Sequence, residues 1–310
     1  MNNMQAVDKI KLRSGIYIPK IGFGPGIMGY SAKMKKKTSP VVYFMKRVYN
    51  KLYLHNMQKR KFIDAIANAF RIGFRLFDYS NAYGNQELIT LAIEKSGISR
   101  DQLFLTARVS NKAQFNGTVR EEFLTNLSKW GVKKVDLLQF HWPVTDKYVD
   151  TWKEMIKLKE EGYADVLGVA NCHKHHIEAL EEATGVIPEI NQIEVHPLFT
   201  QKSLLDFCKS KDIVVEAYTP VGRYDDRLVR LPLLKKLEQK YNKSFVQIIL
   251  RWHVQNGVIP VVRALNPIHQ RENIDIFDFN LSDEDMAKID AININSRLRY
   301  DPDNCDFTIL

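Results

Sequence analysis

The sequence predicts an α/β fold: a closed (β/α)8 barrel with an N-terminal β-hairpin and a long basic insertion near residues 31–58. Three observations point there. Short apolar runs such as "LFLTARVS", "VDLLQFHW" and "IVVEAYTP" show little polar alternation, so they read as strands covered on both faces. Segments of helical period separate them at the spacing of parallel β/α crossovers. An open doubly wound sheet is the competing architecture. It would want a glycine-rich strand-to-helix turn with an acidic residue about 20 positions on, and no clear G-x-G-x-x-G unit is present.

Each element has its own signal. "IKLRSGIYIP" alternates apolar and polar residues around Ser14-Gly15 and reads as the hairpin. "IGFGPG" follows, then the insertion. From Arg60 the pattern is regular, with Phe62, Ile66, Ala69 and Phe70 at helical spacing before the run "FRLFD". A helix over 85–96 precedes "LFLTARVS". Thr118 and Glu121 make a capping-box pattern, and Gly131 can end that helix. After "VDLLQFHW", Asp150 can cap a helix that closes at Gly162, and "ADVLGVAN" follows. Three more rounds lead to "INQIEVHP", "IVVEAYTP" and "VIPVVRAL", and a short helix near Pro267 precedes "DIFDFNLS". Counted from "FRLFD", about eight strand–helix units result. No break suggests a second domain, so residues 1–310 are expected to form one barrel domain.

Composition narrows the class. A chain of 310 residues that is 45% hydrophobic can bury a large core, which argues against disorder. No apolar run approaches the length of a membrane span. "MNNMQAVDKIKLRSG" lacks the apolar stretch of a signal peptide. The three scattered cysteines, Cys172, Cys208 and Cys305, suit a reduced compartment better than a disulfide framework or a metal site. A cytoplasmic protein without a metal centre is the expectation. The net charge of +9 is local: between Lys33 and Lys61 stand ten Lys or Arg and no Asp or Glu, which leaves the rest of the chain close to neutral. That distribution argues against a protein that coats nucleic acid.

Chemistry in such a barrel belongs where strands end and loops begin. The ends here carry Asp78, Arg108, His141, Asn171, the trio Gln192, Glu194 and His196, then Tyr218 and Arg263, with Tyr83 just beyond Asp78. Taken singly, each has a structural reading. A buried Asp–Arg pair is often architectural, and a lone histidine or tyrosine often only packs or ties down a loop. Convergence favours function, because an acid, a cation, a phenol and an imidazole come from three consecutive βα units. That is the set needed to protonate a carbonyl oxygen. A phenol titrates near ~10, and a neighbouring cation lowers it toward working pH.

At this point the sequence resembles the aldo-keto reductases, from the hairpin near Lys9 to about Ile292. "FDYSNAYGNQE" and "VDLLQFHWP" resemble the segments bearing the family's catalytic Asp, Tyr and His. "GVAN", "INQIEVHP" and "EAYTPVG" resemble cofactor segments, and "KYNKSFVQIILRWHVQNGVIPVV" and "NPIHQRENIDIFDFNLSDEDM" resemble the family's C-terminal third. The resemblance implies Tyr83 as general acid, His141 as the group orienting the carbonyl, and Asp78 as the partner of a strand-two cation, here Arg108. It implies Asn171 and Gln192 on a nicotinamide carboxamide, Tyr218 stacked on the ring, and Pro220 and Gly222 in the loop over the pyrophosphate. Gly22 falls in a cofactor segment. Arg263 falls on the adenosine 2′-phosphate, His269 where many members carry a second arginine, and Glu272 and Asn273 where adenine is read. NADPH is thereby favoured over NADH, since Arg263 offers a planar fork for phosphate.

Four departures from the family accompany this. Arg108 stands for the usual lysine, Ala170 for a serine, "GFGPGIMGY" lacks the usual Thr-Trp, and residues 31–58 lengthen a loop that is ordinarily short. Two functions are carried forward. One is an NADPH-dependent reductase of a small carbonyl compound. The other is an NADPH-binding sensor or subunit with little turnover, kept open by Arg108. For the insertion, one reading is a surface helix packed on the barrel. The other is a basic lid that draws in an anionic substrate or docks on an acidic partner or membrane surface.

Overall fold

Runs of two to seven mostly apolar residues pair edge to edge until the last meets the first. The computed structural model describes residues 8–26, 55–80 and 86–309. The basic insertion, apart from its last few residues, and Tyr83 lie outside the described residues. Strands β1 (Lys9–Lys11) and β2 (Tyr17–Pro19) form an antiparallel hairpin. Eight more close a parallel barrel: β3 (Gly22–Phe23), β4 (Leu76–Asp78), β5 (Phe104–Val109), β6 (Val135–Phe140), β7 (Ala164–Ala170), β8 (Ile190–Glu194), β9 (Val214–Tyr218) and β10 (Val258–Val262). Closure comes from β10, which pairs with β9 on one edge and β3 on the other. Every residue of β5 is buried, as expected when one face of a strand fills the barrel and the other meets helices.

The described helices, in order, are α1 (His55–Arg71), α2 (Gln86–Ser96), α3 (Asn111–Asn116), α4 (Val119–Trp130), α5 (Tyr148–Glu160) and α6 (Lys174–Thr184). They continue with α7 (Lys202–Ser210), α8 (Asp226–Val229), α9 (Pro232–Tyr241), α10 (Phe245–Gln255), α11 (Pro267–Ile274) and α12 (Asp283–Asp290). Among the described residues, no helix is long and apolar enough to cross a membrane.

Several elements differ from the expectations. The barrel begins at Gly22–Phe23, ahead of "FRLFD", and "DIFDFNLS" forms no strand. A two-residue strand is too short to show a period. Thr118 makes no side-chain cap on α4. The nearby cap is Ser110, whose hydroxyl accepts from the Ala113 amide at the start of α3. Asp150 lies inside the first turn of α5 instead of capping it, where a carboxylate still suits the positive helix end. Gly131 does end α4, in the left-handed conformation its missing Cβ allows.

The hairpin plugs the end of the barrel where strands begin. Leu12 and Ile18 pack with Leu76, Phe104, Leu137, Val166, Ile190 and Ile259 from six strands. Arg13 Nη2 donates to the Ile187 carbonyl (2.9 Å), and the Ser14 amide donates to Glu189 (2.8 Å). Ile18 is fully buried, so Ile18→Ala is expected to cost about 2–4 kcal/mol. A urea melt measures it. A loss under about 1 kcal/mol would mean that the plug lies outside the cooperative unit.

Candidate active site

Strand register brings polar side chains from five strands to one level inside the barrel. Asp78 closes β4 and Arg108 lies on β5, both buried, and Arg108 Nη2 pairs with Asp78 Oδ1. Arg108 Nε donates to Gln139 Oε1 on β6 at 3.3 Å, its direct register partner. Gln139 Nε2 reaches Glu216 Oε2 on β9 at 3.4 Å. Gln192 on β8 closes the ring, its Nε2 donating to Glu216 Oε2 at 2.8 Å and to Asp78 Oδ1 at 3.1 Å. Gly168 makes room for this ring: a Cβ there would lie 3.1 Å from Gln139 Cγ. Gly24 does the same at the edge, where a Cβ would lie 3.2 Å from Asp78 Oδ2.

The ring holds two carboxylates and one guanidinium. Burial raises the Glu216 carboxyl from 4.5 to about 7, with the Asp78 charge adding to the effect and Gln192, Arg108 and Gln139 opposing it. Glu216 Oε1 finds no hydrogen-bond partner among the described residues. Gln139 and Glu216 were not singled out from the sequence. The available signal was a polar residue inside each of the apolar runs "VDLLQF" and "VVEAY".

Above the ring lies the mouth. His141 follows β6 and is half-buried. Desolvation, then the charges of Arg108 and Arg299, lower its pKa to about 3, so it is a neutral imidazole at working pH. Asn171, at φ 61°, follows β7. Its Nδ2 donates to the His141 carbonyl (2.9 Å), and its Oδ1 accepts from the Tyr218 hydroxyl (2.7 Å). Burial, and secondarily the Glu194 charge, raise the Tyr218 hydroxyl well above its ordinary value. Thr219 has φ 48°, an uncommon conformation for a β-branched residue, and its Oγ1 is buried without a partner among the described residues. The Pro220 carbonyl accepts from buried His253 at 2.9 Å, and Gly222, at φ 59°, lies against Leu228 and His196. On the far side, Arg263 is exposed after β10, and its side chain runs 3.6 Å from where a Cβ of Gly26 would be. On α11, His269 Nδ1 and Glu272 Oε2 pair at 3.0 Å, and Asn273 is buried.

Gly22 is set apart from this group. It sits within β3, packed against Leu76 and Val261, whereas Gly24 and Gly26 reach the mouth. Glu194 and His196, both fully buried, share a bond of 2.9 Å. Glu194 also accepts the backbone amides of Leu298 (2.6 Å) and Arg299 (2.9 Å), which ties the C-terminal tail to the mouth. Further along the tail, Phe307 packs on Trp142 and Val144, next to His141.

With this geometry in place, comparison with known proteins is decisive. The sequence matches the Aldo/keto reductase family over residues 49–294. The chain belongs to the aldo/keto reductase family. It is 38% identical over 244 residues to a glyoxal reductase of Bacillus subtilis, across 79% of this chain and 88% of that protein. An aldo/keto reductase crystal structure from Brucella melitensis superimposes with a TM-score of 0.79 at 35% identity, covering 93% of this chain and 100% of that one. A Bombyx mori aldo-keto reductase in complex with NADP gives a TM-score of 0.80 at 29% identity, covering 96% of each chain. In this aldo/keto reductase, Asp78, Arg108, His141, Asn171, Gln192 and Tyr218 converge at one end of the barrel. Arg263 follows β10 beside Gly26, and His269, Glu272 and Asn273 lie on α11.

Proposed function

We propose that this chain reduces small aldehydes and 1,2-dicarbonyl compounds to alcohols with NADPH, with Tyr83 as general acid. The reading treats residues 1–310 as one catalytic barrel in the cytoplasm. The observation that carries it is the buried Asp78–Arg108 pair on adjoining strands, beside a neutral His141. It supports a site where a cation is fixed on Asp78, five residues before Tyr83 in the chain. Family membership and the glyoxal reductase likeness support the substrate class.

The residues present fit a dinucleotide phosphate. Thr219 keeps a buried hydroxyl without a partner among the described residues, in a stretch of left-handed backbone at Thr219, Gly222, Arg223 and Tyr224; the Gly222 and Tyr224 amides bond the Thr219 and Val221 carbonyls, so the hydroxyl is the group left to meet a phosphate. Gln192 would hold the carboxamide through Oε1, and Asn171 beside it. Tyr218 would stack on the nicotinamide, Pro220 and Gly222 would shape the pyrophosphate loop, and Arg263 would take the 2′-phosphate. Bound NADPH supplies the hydride for the carbonyl carbon. The Arg108 charge favours the tyrosinate form of Tyr83 and so eases release of its proton to the carbonyl oxygen. Neutral His141 donates a hydrogen bond to that oxygen and fixes its direction.

Arg263→Ala is expected to weaken NADPH by about 10–100-fold, the worth of a charge-assisted bond, and NADH far less. Fluorescence titration with both cofactors reads the ratio; an unchanged ratio refutes the phosphate assignment. The function itself is tested by NADPH titration followed by glyoxal, methylglyoxal and simple aldehydes. Steady NADPH consumption supports the reductase. Tight binding without turnover supports the second reading, an NADPH-binding sensor, which is favoured by the commitment of Arg108 Nε and Nη2 to Gln139 and Asp78.

A further inference from the structure

At the rim of the barrel mouth, just beyond Asn171, three imidazoles and a carboxylate meet where the C-terminal tail crosses the start of α6. His173 precedes the helix, and His175 and His176 lie in its first turn. Asp303 of the tail faces all three. His173 Nδ1 is 2.8 Å from Asp303 Oδ2. His175 Nε2 is 3.2 Å, and His176 Nε2 3.6 Å, from Asp303 Oδ1. One ligand atom from each of the four residues lies within 4.8 Å of the other three. Tetrahedral zinc with bonds of about 2.0–2.1 Å to nitrogen or oxygen sets its ligand atoms about 3.3–3.4 Å apart. The three separations straddle that edge length, two of them to Oδ1 and one to Oδ2, and the four-atom set spans up to 4.8 Å, so an ion would draw ligand atoms inward by up to about 1.5 Å.

We propose that His173, His175, His176 and Asp303 form a binding site for a first-row transition dication, Zn2+ above all, which pins the C-terminal tail to the start of α6. The donor set argues for this class. Imidazole nitrogens with one carboxylate suit zinc and its neighbours, whereas calcium and magnesium want six or more oxygens. The positive end of α6 opposes a cation here. Two tail carboxylates offset it: Asp303, and Asp301, whose Oδ1 is 3.9 Å from His173 Nε2.

Hydrogen bonding shows what ion entry would rearrange. His173 Nε2 now accepts from Arg297 Nη2 at 3.2 Å, so its proton sits on Nδ1 and points at Asp303. Ligation through Nδ1 moves that proton to Nε2. Arg297 then turns away, and Asp301 becomes the acceptor that steadies the ring, as carboxylates commonly do for ligating histidines. His176 Nδ1 accepts from the His173 amide at 3.1 Å, so its proton sits on Nε2 toward Asp303, and ligation through Nε2 would require that amide bond to be given up. His173, His175 and Asp303 are therefore the core ligands, with His176 or water completing the tetrahedron. The tail held in this way also carries Arg299, whose charge is felt at His141, and Phe307, which packs on Trp142.

The test uses the full-length protein, stripped with a chelator and titrated with zinc chloride in a calorimeter. One equivalent per chain is expected, with at least about tenfold weaker binding in both His175→Ala and Asp303→Asn, the size of loss that damage to a metal site causes. His175 and Asp303 are solvent-exposed, so both variants should keep the parent's circular dichroism and thermal melt. Cobalt substituted for zinc should give the intense visible bands of tetrahedral coordination. Zinc should also slow tryptic cleavage at Arg297 and Arg299 in the parent but not in the variants. Substoichiometric uptake, or equal affinity in parent and both variants, would overturn the site. Stoichiometric uptake without slower cleavage would overturn the pinning of the tail.

Discussion

Tyr83→Phe is expected to lower the rate of carbonyl reduction by about 10²–10⁴-fold, the usual worth of a positioned general acid. NADPH affinity should stay within about twofold, because the ring remains and only the hydroxyl is lost. The effect follows from charge. Asp78 and Gln139 fix the Arg108 guanidinium at the end of β5, and Arg108 cannot surrender its proton at any working pH. On the proposed placement of Tyr83, a permanent cation there would make the phenol a stronger acid, and the neutral His141 could not replace it as donor of a full proton. Single-turnover measurements with NADPH and methylglyoxal separate chemistry from product release. A variant that reduces methylglyoxal as fast as the parent would remove Tyr83 from the mechanism and leave the binding-protein reading in its place.

The second large effect concerns stability. Glu216→Gln should strengthen the fold above neutral pH and leave it nearly unchanged near pH 5. Glu216 titrates at about 7 in the folded chain, against an ordinary value of 4.5. Between those values the folded chain keeps a proton that the unfolded chain has lost, so the parent loses stability as pH rises through the window and levels off above it. The loss amounts to roughly 3–4 kcal/mol, at about 1.4 kcal/mol per pH unit. Glutamine keeps an oxygen for the Gln139 and Gln192 amides, and places its own amide where Glu216 Oε1 already lacks a partner. Urea melts of both proteins at pH 5 and pH 8 give the comparison. An equal gain at the two pH values would show that Glu216 is already ionised at pH 5.

Much of the mouth was legible because barrel strands end abruptly. Asp78 and Asn171 are polar residues at the end of, or just beyond, apolar runs, and the fold delivers such positions to one face. Residues within strands were harder. Gln139 and Glu216 look alike in sequence whether they face the barrel axis or the helices, and only register between non-adjacent segments shows that they meet. The first strand escaped notice because Gly22–Phe23 is too short for a pattern, and its partners lie 54 and 239 positions further on, at Leu76 and Val261. Thr118 looked like a cap by spacing alone. The local geometry instead favours Ser110, whose amide and hydroxyl both donate to the Glu122 carboxylate. The roles assigned to Tyr83 and the basic insertion rest on resemblance and charge.

The anchoring of the tail by Glu194 has an evolutionary consequence. Its two carboxylate oxygens are taken by main-chain amides of Leu298 and Arg299, which every residue type except proline provides. Attachment is therefore indifferent to which side chains the segment displays. Positions 298 and 299 can drift between charged, aromatic and aliphatic residues while the strap stays fastened, so selection can retune what the mouth admits without first repairing the anchor. The one substitution that would break this freedom at either position is proline. Glu194 itself, two residues beyond Gln192 on the same strand, supplies both acceptors.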